Sequence, residues 1–565
     1  MEQMKWKRHS KKRSVAFTLG VVLMLTTACA GEPRKEEGAG TTDNRSTETV
    51  GQTKEGESLG SVRDRTLLIG VPATADGLDM DYHNSGVVTM VVRNMNDYQF
   101  LYPYEKDESG FLVPDFNADL VPRMAESCTF SEDGLTMTVR LKKGIKSHDG
   151  NELTAADIVY KFQSAFENQT STWTFTAKNQ GIEDVAQIKV IDDYTYSITT
   201  KSPNPMALSN LAHVQTFIYD SKASGEPLKK DPQWMNTHEA GYGPYKLKEF
   251  TPGQQVVLEK FTDYWDQDAV SWFDDVIVKE IPESANRAAM LMSGDLDIAL
   301  DLTDAELHEL AGKEDVKVLD YTGNRMTFVG FDHSIAPLDD PKVRQALSYA
   351  APYQDILDTV YLGEASPLYS PVPSIYPGYT KEFWEYGTDL EKARALLAEA
   401  GYGDGFKLDM VIEASQSQHE QIAIFLQSSL REIGVELTIQ KVQSGDFWSR
   451  VSSGTMGGLF AITDSPGSPD PALGFSLYAI SDGIMNMGRY KNEEVDALYA
   501  EMMATLDQDV RMRCAERIQE ITVKEDPLWM YISAPGYKAA MRSDIQAPQW
   551  NAVNELGWNY MYRQE

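Results

Sequence analysis

Residues 388–442 carry the pattern that constrains the fold most, because helical and strand periodicities alternate there along one continuous stretch. Apolar residues recur at helical spacing over residues 390–400 and 422–433, whereas residues 406–412 and 435–442 have strand patterns. Two strands joined through a helix at this spacing pair in parallel through a crossover connection. The sequence therefore predicts an α/β lobe in this part of the chain.

Helix boundaries are indicated by residues that satisfy unpaired backbone groups. Thr388 and Glu391 have the spacing of a capping box, and Gly401 can adopt the left-handed conformation that ends a helix. Asp340 followed by Pro341 predicts the start of another helix, which continues as an apolar stripe.

The first half of the chain shows the same mixture of patterns. Residues 135–141 alternate between apolar and polar side chains, which is typical of a half-buried strand. Thr154 and Asp157 then begin a helix that continues to Phe166. Residues 202–243, rich in Pro, Asn and Lys, separate this region from the C-terminal half. We therefore predict two α/β lobes.

The N-terminus has the pattern of an export signal. Lys and Arg residues precede an apolar stretch, residues 15–28, which ends at Cys29. About fourteen apolar residues are too few to span a bilayer, which takes roughly 20. The segment from Leu25 to Ala30 resembles the lipobox of bacterial lipoproteins, whose cysteine is lipidated. We predict a signal peptide over residues 1–28 and a lipidated Cys29 opening a polar tether over residues 29–62; an ordinary cleaved signal is the alternative.

Charge and motif content exclude several classes of protein. The formal net charge of −33 disfavours nucleic acid and anionic lipid as partners. Cys128 and Cys514 each lack a neighbouring cysteine, so two free thiols are favoured over a single bridge. His308 and His419 are followed by Glu but lack the second His of an HExxH motif, and no GxSxG or P-loop motif occurs. We predict no catalysis, cofactor or metal, and we interpret His419 as part of a solvated helix start.

A series of motifs occurs in order over some 400 residues. These motifs include Asp133-Gly134-Leu135-Thr136, Leu141-Lys142-Lys143-Gly144-Ile145, His148-Asp149-Gly150, Gly241-Tyr242-Gly243-Pro244-Tyr245, Pro337-Leu338-Asp339-Asp340, Val343-Arg344-Gln345-Ala346-Leu347 and Asp470-Pro471. Together they resemble the extracellular solute-binding proteins of the peptide and nickel family, which includes dipeptide and oligopeptide receptors. Most are turn and core residues, and Arg344 is expected to form a structural hydrogen-bonded pair, so they identify the fold and not the ligand.

The resemblance implies an α/β, periplasmic-binding-protein-like fold (type II, cluster C), with two lobes joined by a hinge and an extra inserted region. We expect lobe I to comprise residues 63–102, 235–318 and 535–565, region II residues 103–234, and lobe III residues 319–534. Closure of lobes I and III on a ligand would explain capture and release. The implied partners are an ABC permease and its ATPase subunits, and we expect a monomer outside the cytoplasm, tethered to the membrane by lipid.

The resemblance also implies where a ligand binds. In peptide receptors of this family, an Asp that follows an apolar strand pairs with the α-ammonium of the ligand. Residues 459–464 match that stretch, which makes Asp464 the first candidate. The competing interpretation is that Asp464 only caps the turn at residues 465–467. Ala461 stands where those receptors often have Trp, which is compatible with a bulkier or non-peptide ligand.

Further candidate contacts follow from position. Residues 79–104 are rich in Asn, Tyr and Met, and the corresponding segment of the family borders the cleft. An arginine such as Arg489 suits a ligand carboxylate. The predicted ligand-binding residues are Asp464, Asn94, Tyr98, Tyr104, Trp173, Asn486 and Arg489.

The sequence favours a receptor that binds a small solute, a peptide above all, and delivers it to a permease. Nickel or haem chelates, opines and sugars are alternatives within the same class. A surface sensor or adhesin that has lost transport is an alternative from a different class.

Overall fold

The computed structural model describes residues 65–83, 85–107, 110–168, 181–213, 216–269, 271–550 and 556–564. The predicted signal peptide, Cys29, the tether and Trp173 lie outside the described residues. Within these ranges, no helix combines the length and the apolar character that crossing a bilayer requires.

The helices are amphipathic or buried, and most begin at a residue whose side chain accepts a backbone hydrogen bond. In chain order they are α1 (Gly86–Met95), α2 (Ala155–Asn168), α3 (Ser221–Lys230), α4 (Ser284–Ser293), α5 (Asp304–Leu310), α6 (Pro341–Ala350), α7 (Tyr353–Val360), α8 (Leu390–Glu399), α9 (Ser417–Arg431), α10 (Ser444–Ser453), α11 (Pro471–Tyr478), α12 (Glu493–Met503) and α13 (Gln508–Glu520).

The strands alternate with these helices along the chain. They are β1 (Thr66–Val71), β2 (Phe100–Leu101), β3 (Tyr104–Lys106), β4 (Leu112–Pro114), β5 (Val121–Pro122), β6 (Ala125–Phe130), β7 (Thr136–Leu141), β8 (Ile188–Asp192), β9 (Thr195–Thr199), β10 (Tyr245–Thr251), β11 (Gln255–Lys260), β12 (Asp275–Glu280), β13 (Ile298–Ala299), β14 (Val316–Tyr321), β15 (Met326–Phe331), β16 (Ser366–Pro367), β17 (Phe406–Glu413), β18 (Val435–Val442), β19 (Leu459–Asp464), β20 (Trp529–Ala534), β21 (Tyr537–Arg542), β22 (Ile545–Gln546), β23 (Gln549–Trp550), β24 (Leu556–Gly557) and β25 (Tyr562–Arg563).

Two larger sheets define two lobes. The sheet of lobe I has seven strands in the order β10-β11-β12-β1-β13-β21-β14, in which β1 pairs in parallel with both β12 and β13. The sheet of lobe III has six strands in the order β16-β20-β15-β19-β17-β18. Its β17 and β18 are parallel and are joined through α9, which confirms the predicted crossover. The expected mixed α/β fold with two lobes is therefore observed.

Both faces of the lobe III sheet are buried. Phe328 of β15 and Phe460 and Ile462 of β19 pack into one hydrophobic cluster, whereas Val329 and Ala461 pack into a second cluster on the other face. Strands that are covered on both faces consist of nearly continuous apolar residues, which explains why β19 is apolar along most of its length. The first polar residue that ends such a strand lies at the edge of the sheet.

A smaller body, which we call region II, is built on the antiparallel sheet β6-β7-β9-β8, and α2 packs against it. Residues 104–114 supply β3 and β4 to another four-stranded sheet, in which they join β23 and β24 from near the C-terminus. The N- and C-terminal parts of the described chain are thereby tied together.

The chain passes between the sheets of lobes I and III at two places. Residues 322–325 connect β14 of lobe I to β15 of lobe III, and residues 535–536 connect β20 back to β21. The backbone of Gly536 packs closely against Asp320, because a Cβ atom at position 536 would come within 1.8 Å of the Asp320 Oδ1 atom. These two short connections form the hinge between the lobes.

Helix starts were partly predictable. Asp340 caps α6 with Pro341 in the first turn, as predicted, and Gly401 adopts a φ of 86° just after α8. The capping box of Thr388 with Glu391 is wrong, because Asp389 caps α8 by accepting from the Lys392 amide. The Thr388 hydroxyl instead donates to the Ala351 carbonyl, a long-range contact that local spacing does not reveal.

Arg344 forms the structural pair that its motif indicated. Its guanidinium is buried and contacts the Asp526 carboxylate, while its remaining N–H groups donate to the carbonyls of Pro527 (3.1 Å) and Leu338 (2.6 Å). Cys128, on β6, and Cys514, on α13, are both free thiols; the first is half-buried and the second is buried.

Candidate ligand-binding site

Asp464 lies at the C-terminal end of β19, where the sheet of lobe III meets lobe I. It is the cross-strand partner of Met326, the first residue of β15 after the hinge. The next residue, Ser465, has its Oγ atom 3.0 Å from the hydroxyl of Tyr537, which is the first residue of β21 in lobe I. The end of the buried strand β19 thus places Asp464 at the lobe junction.

The Asp464 carboxylate is held in place by hydrogen bonds and not by a paired cation. Its Oδ2 atom accepts a hydrogen bond from the Tyr478 hydroxyl (2.7 Å), and its Oδ1 atom accepts one from the Ser465 amide (2.8 Å). Among the described residues, no Lys, Arg or His nitrogen lies within 4.0 Å of it. The side chain is half-buried. A carboxylate accepts about four hydrogen bonds, so acceptor capacity is left for a donor from outside the chain.

Tyr478 is positioned as a permanent donor to this carboxylate. It ends α11, which begins at Asp470 and Pro471, and its ring is buried beside Trp529 and Phe328. Burial first, and the Asp464 charge second, raise the pKa of Tyr478 well above its ordinary value of 10. The phenol therefore keeps its proton at neutral pH.

The hinge side of the site is fixed by hydrogen bonds. The Asn324 side-chain amide donates to the Tyr376 hydroxyl (2.6 Å) and to the Pro466 carbonyl (2.7 Å). The Tyr376 hydroxyl also donates to the Pro466 carbonyl, at 2.7 Å. The turn that follows Asp464 is thus tied directly to the hinge residue Asn324.

The connection between β4 and β5 packs against lobe III beside this turn. The ring of Phe116 packs edge to face against Tyr376 of lobe III, with ring centroids 5.4 Å apart, and against Tyr102, at 5.1 Å. Phe116 and Met206 are both buried within the hydrophobic cluster of lobe III. Side chains from the part of the chain before lobe III therefore pack against lobe III beside this turn.

Three predicted contacts, Asn94, Tyr98 and Tyr104, lie in or next to lobe I. The Asn94 side chain donates to the carbonyls of Met90 (2.8 Å) and Leu556 (3.3 Å), and it accepts from the Trp558 amide (3.2 Å). It is buried and holds the C-terminal strands to α1.

The two tyrosines of this group also have partners inside the protein. Tyr98 is buried, and its ring centroid is 4.9 Å from that of Phe217. Tyr104 is half-buried, and its hydroxyl accepts from Arg93 at 3.2 Å. A ligand role for either side chain is still only a prediction.

Asn486 and Arg489 lie at the other end of β19 from Asp464. Asn486 donates to the carbonyls of Ile480 and Tyr490 and accepts from the Tyr490 amide, which organises its own loop. Arg489 makes a bidentate ion pair with the fully buried Asp332, with its Nη2 atom 2.6 and 2.9 Å from the two carboxylate oxygens. The structure therefore does not bring these two residues to Asp464.

A small pocket lies beside the Asn486 loop. It is lined mainly by apolar and aromatic side chains, including Phe331, Phe460, Met485 and Trp529. Phe331 and Phe460 belong to the ends of β15 and β19 that lie away from the hinge. The pocket is therefore internal to lobe III and separate from the junction.

The interpretation of His419 as solvated is wrong. The side chain is buried, and its Nε2 atom is 3.0 Å from the Thr463 hydroxyl. Burial lowers the pKa of His419 to about 4, so the ring is neutral at physiological pH. Because α9 begins at Ser417, position 419 already faces inward, onto the face of β19 opposite to Phe460 and Ile462.

Sequence patterns did not identify three groups around Asp464. Tyr478, Tyr537 and Arg325 come from three separate segments, and only Arg325, between β14 and β15, lies in a connection that strand assignment could have marked. None belongs to a recognisable motif. Their proximity to Asp464 follows from the packing of the two sheets.

Two hinged α/β lobes with a charged group at their junction are the architecture of bacterial solute-binding proteins. Residues 119–486 match the model described as bacterial extracellular solute-binding proteins, family 5 Middle. This chain belongs to that family. Its members are the extracytoplasmic solute-binding proteins of ABC transporters and are not enzymes.

Similar proteins extend over most of the chain. Heme-binding protein A of Haemophilus influenzae is 28% identical over 436 residues, which cover 74% of this chain and 79% of that protein. Glutathione-binding protein GsiB of Salmonella typhi is 29% identical over 413 residues, 72% and 78% of the two chains.

Solved structures show the same fold. The substrate-binding protein CtaP of Listeria monocytogenes has a TM-score of 0.77 at 24% identity, covering 88% of this chain and 99% of its own. The Helicobacter pylori protein DppA, in complex with the peptide STSA, has a TM-score of 0.74 at 22% identity, covering 90% and 100%.

Proposed function

We propose that this protein captures a small peptide between its lobes, binds the peptide's α-ammonium at Asp464, and delivers it to the permease of an ABC importer. The observation that carries the proposal is a half-buried carboxylate at the lobe junction that has fixed geometry and, among the described residues, no cation within 4.0 Å. Similar proteins that bind peptides support it, since DppA of Helicobacter pylori is found with STSA.

The energetics of this site favour an ammonium group. A carboxylate that loses water on lobe closure needs a cation and further donors, and a charged hydrogen bond contributes about 1.5 to 3 kcal/mol. Tyr478 and Ser465 supply two of the donors, and the ligand would supply the positive charge. The carboxylate thus also acts in turn formation, through the Ser465 amide, and the two interpretations of Asp464 are compatible.

Calorimetry with free and N-acetylated peptides tests the proposal. The mature protein is unfolded and refolded to remove copurified ligand, and it is then titrated with mixed di- to pentapeptides. We expect binding of the free peptides and at least about 30-fold weaker binding after acetylation, because acetylation removes the charge that pairs with the carboxylate. If free and acetylated peptides bind with equal affinity, the ammonium group has no role in binding. If no peptide binds, peptides are not the ligand class of this protein.

We further propose that Cys29 is lipidated and that the lipid retains the receptor at the membrane surface, near its permease. Two acyl chains anchor a protein firmly, whereas one is marginal. Cells labelled with palmitate should yield a labelled protein, and Cys29→Ser should abolish the label. A wild-type protein that takes up no label would contradict lipidation.

A further inference from the structure

The first two residues of β21, directly after the hinge connection 535–536, face opposite sides of the lobe I sheet. Tyr537 packs in the same hydrophobic cluster as Ala539, whereas Ala540 packs in the cluster on the other face. Successive residues of a strand point to opposite faces, so Lys538 lies on the same face as Ala540. Both Tyr537 and Lys538 contact lobe III, and they contact different parts of it.

On one face, lobe I is joined to the turn that follows Asp464. The Tyr537 hydroxyl is 3.0 Å from the hydroxyl of Ser465, and the backbone amide of Ser465 donates to the Asp464 carboxylate. Tyr537 belongs to lobe I and Ser465 to lobe III, so this hydrogen bond crosses the hinge. It holds lobe I against the candidate ligand site.

On the opposite face, an ion pair crosses the hinge. The Lys538 ammonium contacts the carboxylate of Glu364, which lies two residues before β16 of lobe III. Ser366 of β16 is the cross-strand partner of Ala534, the last residue before the hinge connection. The ion pair therefore lies beside the hinge, where a change in the angle between the lobes would alter it.

Two further contacts on this face also join the lobes. The His308 Nδ1 atom, on α5 of lobe I, is 3.6 Å from the Glu364 Oε1 atom. The Gln418 side chain, on α9 of lobe III, donates to the Asp304 Oδ2 atom of α5 at 3.4 Å. Helix α5 thus contacts two separate segments of lobe III, beside the ion pair.

Lys538 already has a carboxylate partner within its own lobe. The Asp304 Oδ1 atom lies 3.5 Å from the Lys538 ammonium, whose side chain is only 10% exposed. Burial lowers the pKa of Lys538, but the hydrogen bond to Glu364 and the charges of Asp304 and Asp320 outweigh it and raise the pKa above its ordinary value. The hydrogen bond from Lys538 likewise lowers the pKa of Glu364, so both partners are charged at neutral pH. What Glu364 adds is a connection between the lobes.

We propose that the ion pair of Glu364 with Lys538 and the hydrogen bond of Tyr537 with Ser465 together hold the two lobes at one angle. Bending the hinge toward either face shortens the contacts on that face and lengthens those on the other. Both contacts can therefore be formed only over a narrow range of angles. A receptor whose lobes sample other angles binds more weakly, in proportion to the time it spends outside the competent arrangement. The restraint acts in the ligand-free protein and does not depend on which solute binds.

Pulsed electron paramagnetic resonance on the refolded, ligand-free mature protein tests this restraint. Spin labels are attached through p-acetylphenylalanine at position 292, on α4 of lobe I, and at position 424, on α9 of lobe III, which are both exposed. This chemistry avoids the free thiols of Cys128 and Cys514. We expect one narrow distance distribution with the native hinge. Glu364→Gln should widen it at least about twofold, because angles that the ion pair excludes become populated.

Three matched variants complete the test. Lys538→Gln removes the other partner and should also widen the distribution, whereas Lys538→Arg keeps the charge and should leave it narrow. Glu436→Gln breaks an exposed ion pair with Lys407 inside the lobe III sheet and should change nothing. If both Glu364→Gln and Lys538→Gln give distributions as narrow as that of Glu436→Gln, the ion pair does not set the angle. A distribution that is already broad with the native hinge would equally overturn the inference.

Discussion

Replacing Asp464 with Asn is expected to weaken binding of free-amine peptides by about 100-fold or more. The substitution keeps the shape of the side chain and an acceptor for Tyr478 or Ser465 but removes the negative charge. Removing one partner of a desolvated, hydrogen-bonded charge pair costs about 2 to 5 kcal/mol of binding free energy. Calorimetric titration of the wild type and the variant with one tripeptide measures the difference.

Asp482→Asn provides the matched control for charge. Asp482 also lies in lobe III, is exposed, and follows α11, so the variant changes the same net charge away from the junction. Its affinity should equal that of the wild type, and both variants should melt within about 2 °C of it. If Asp464→Asn binds the tripeptide as tightly as Asp482→Asn does, Asp464 is only the cap of the turn at Ser465.

Replacing Arg344 with Met is expected to destabilise lobe III by about 3 to 5 kcal/mol. The guanidinium is buried and satisfies the Asp526 carboxylate and the carbonyls of Leu338 and Pro527. Removing the guanidinium leaves the Asp526 carboxylate without a cation and leaves buried carbonyl acceptors without donors. Breaking a buried ion pair by removing one partner in this way costs more free energy than replacing both partners. At about 2 °C per kcal/mol for a lobe of roughly 200 residues, thermal unfolding should show a melting temperature lower by about 6 to 10 °C.

Two further variants distinguish the loss of the Arg344–Asp526 ion pair from the general effect of removing an arginine. Arg394→Met removes an exposed guanidinium whose hydrogen bonds within the described ranges go to the Glu432 carbonyl. It should change the free energy of unfolding by less than about 1 kcal/mol. Arg344→Met combined with Asp526→Asn should recover part of the loss, because the buried charge is removed as well. An Arg344→Met protein that melts like the Arg394→Met protein would show that the pair is not structural.

The order of elements was predictable where local patterns were strong. Periodicity gave the two helices and two strands of residues 388–442, and glycine or capping residues marked most of their ends. The boundary at Asp389 shows the limit of such reasoning, because Thr388 and Asp389 are both suitable caps. The choice between them follows from the hydrogen bond between Thr388 and the Ala351 carbonyl, 37 positions away.

The candidate site was predictable only in part. Asp464 was identifiable because a buried strand ends there, and the resemblance of residues 459–464 to peptide receptors added a role. Asn486 and Arg489 had equally suitable chemistry. The guanidinium of Arg489 is nevertheless paired with Asp332, which lies 157 positions away and could not be identified as its partner from the local sequence. A polar residue in a loop can hydrogen-bond to a neighbouring residue or to a ligand. The local sequence is the same in both cases, so it does not show which of the two partners the residue has.

The sequence by itself determined the family, the alternation of helices and strands, and a carboxylate at the end of β19. These properties are encoded locally, in periodicity, turn residues and short motifs. Only the tertiary structure decided that Tyr478 donates to that carboxylate and that Tyr537, with Arg325 against its ring, contacts the next residue, because two sheets joined by a hinge bring together segments that are far apart along the chain. Which charges are paired within the protein, and which are left for a ligand, is therefore decided by packing.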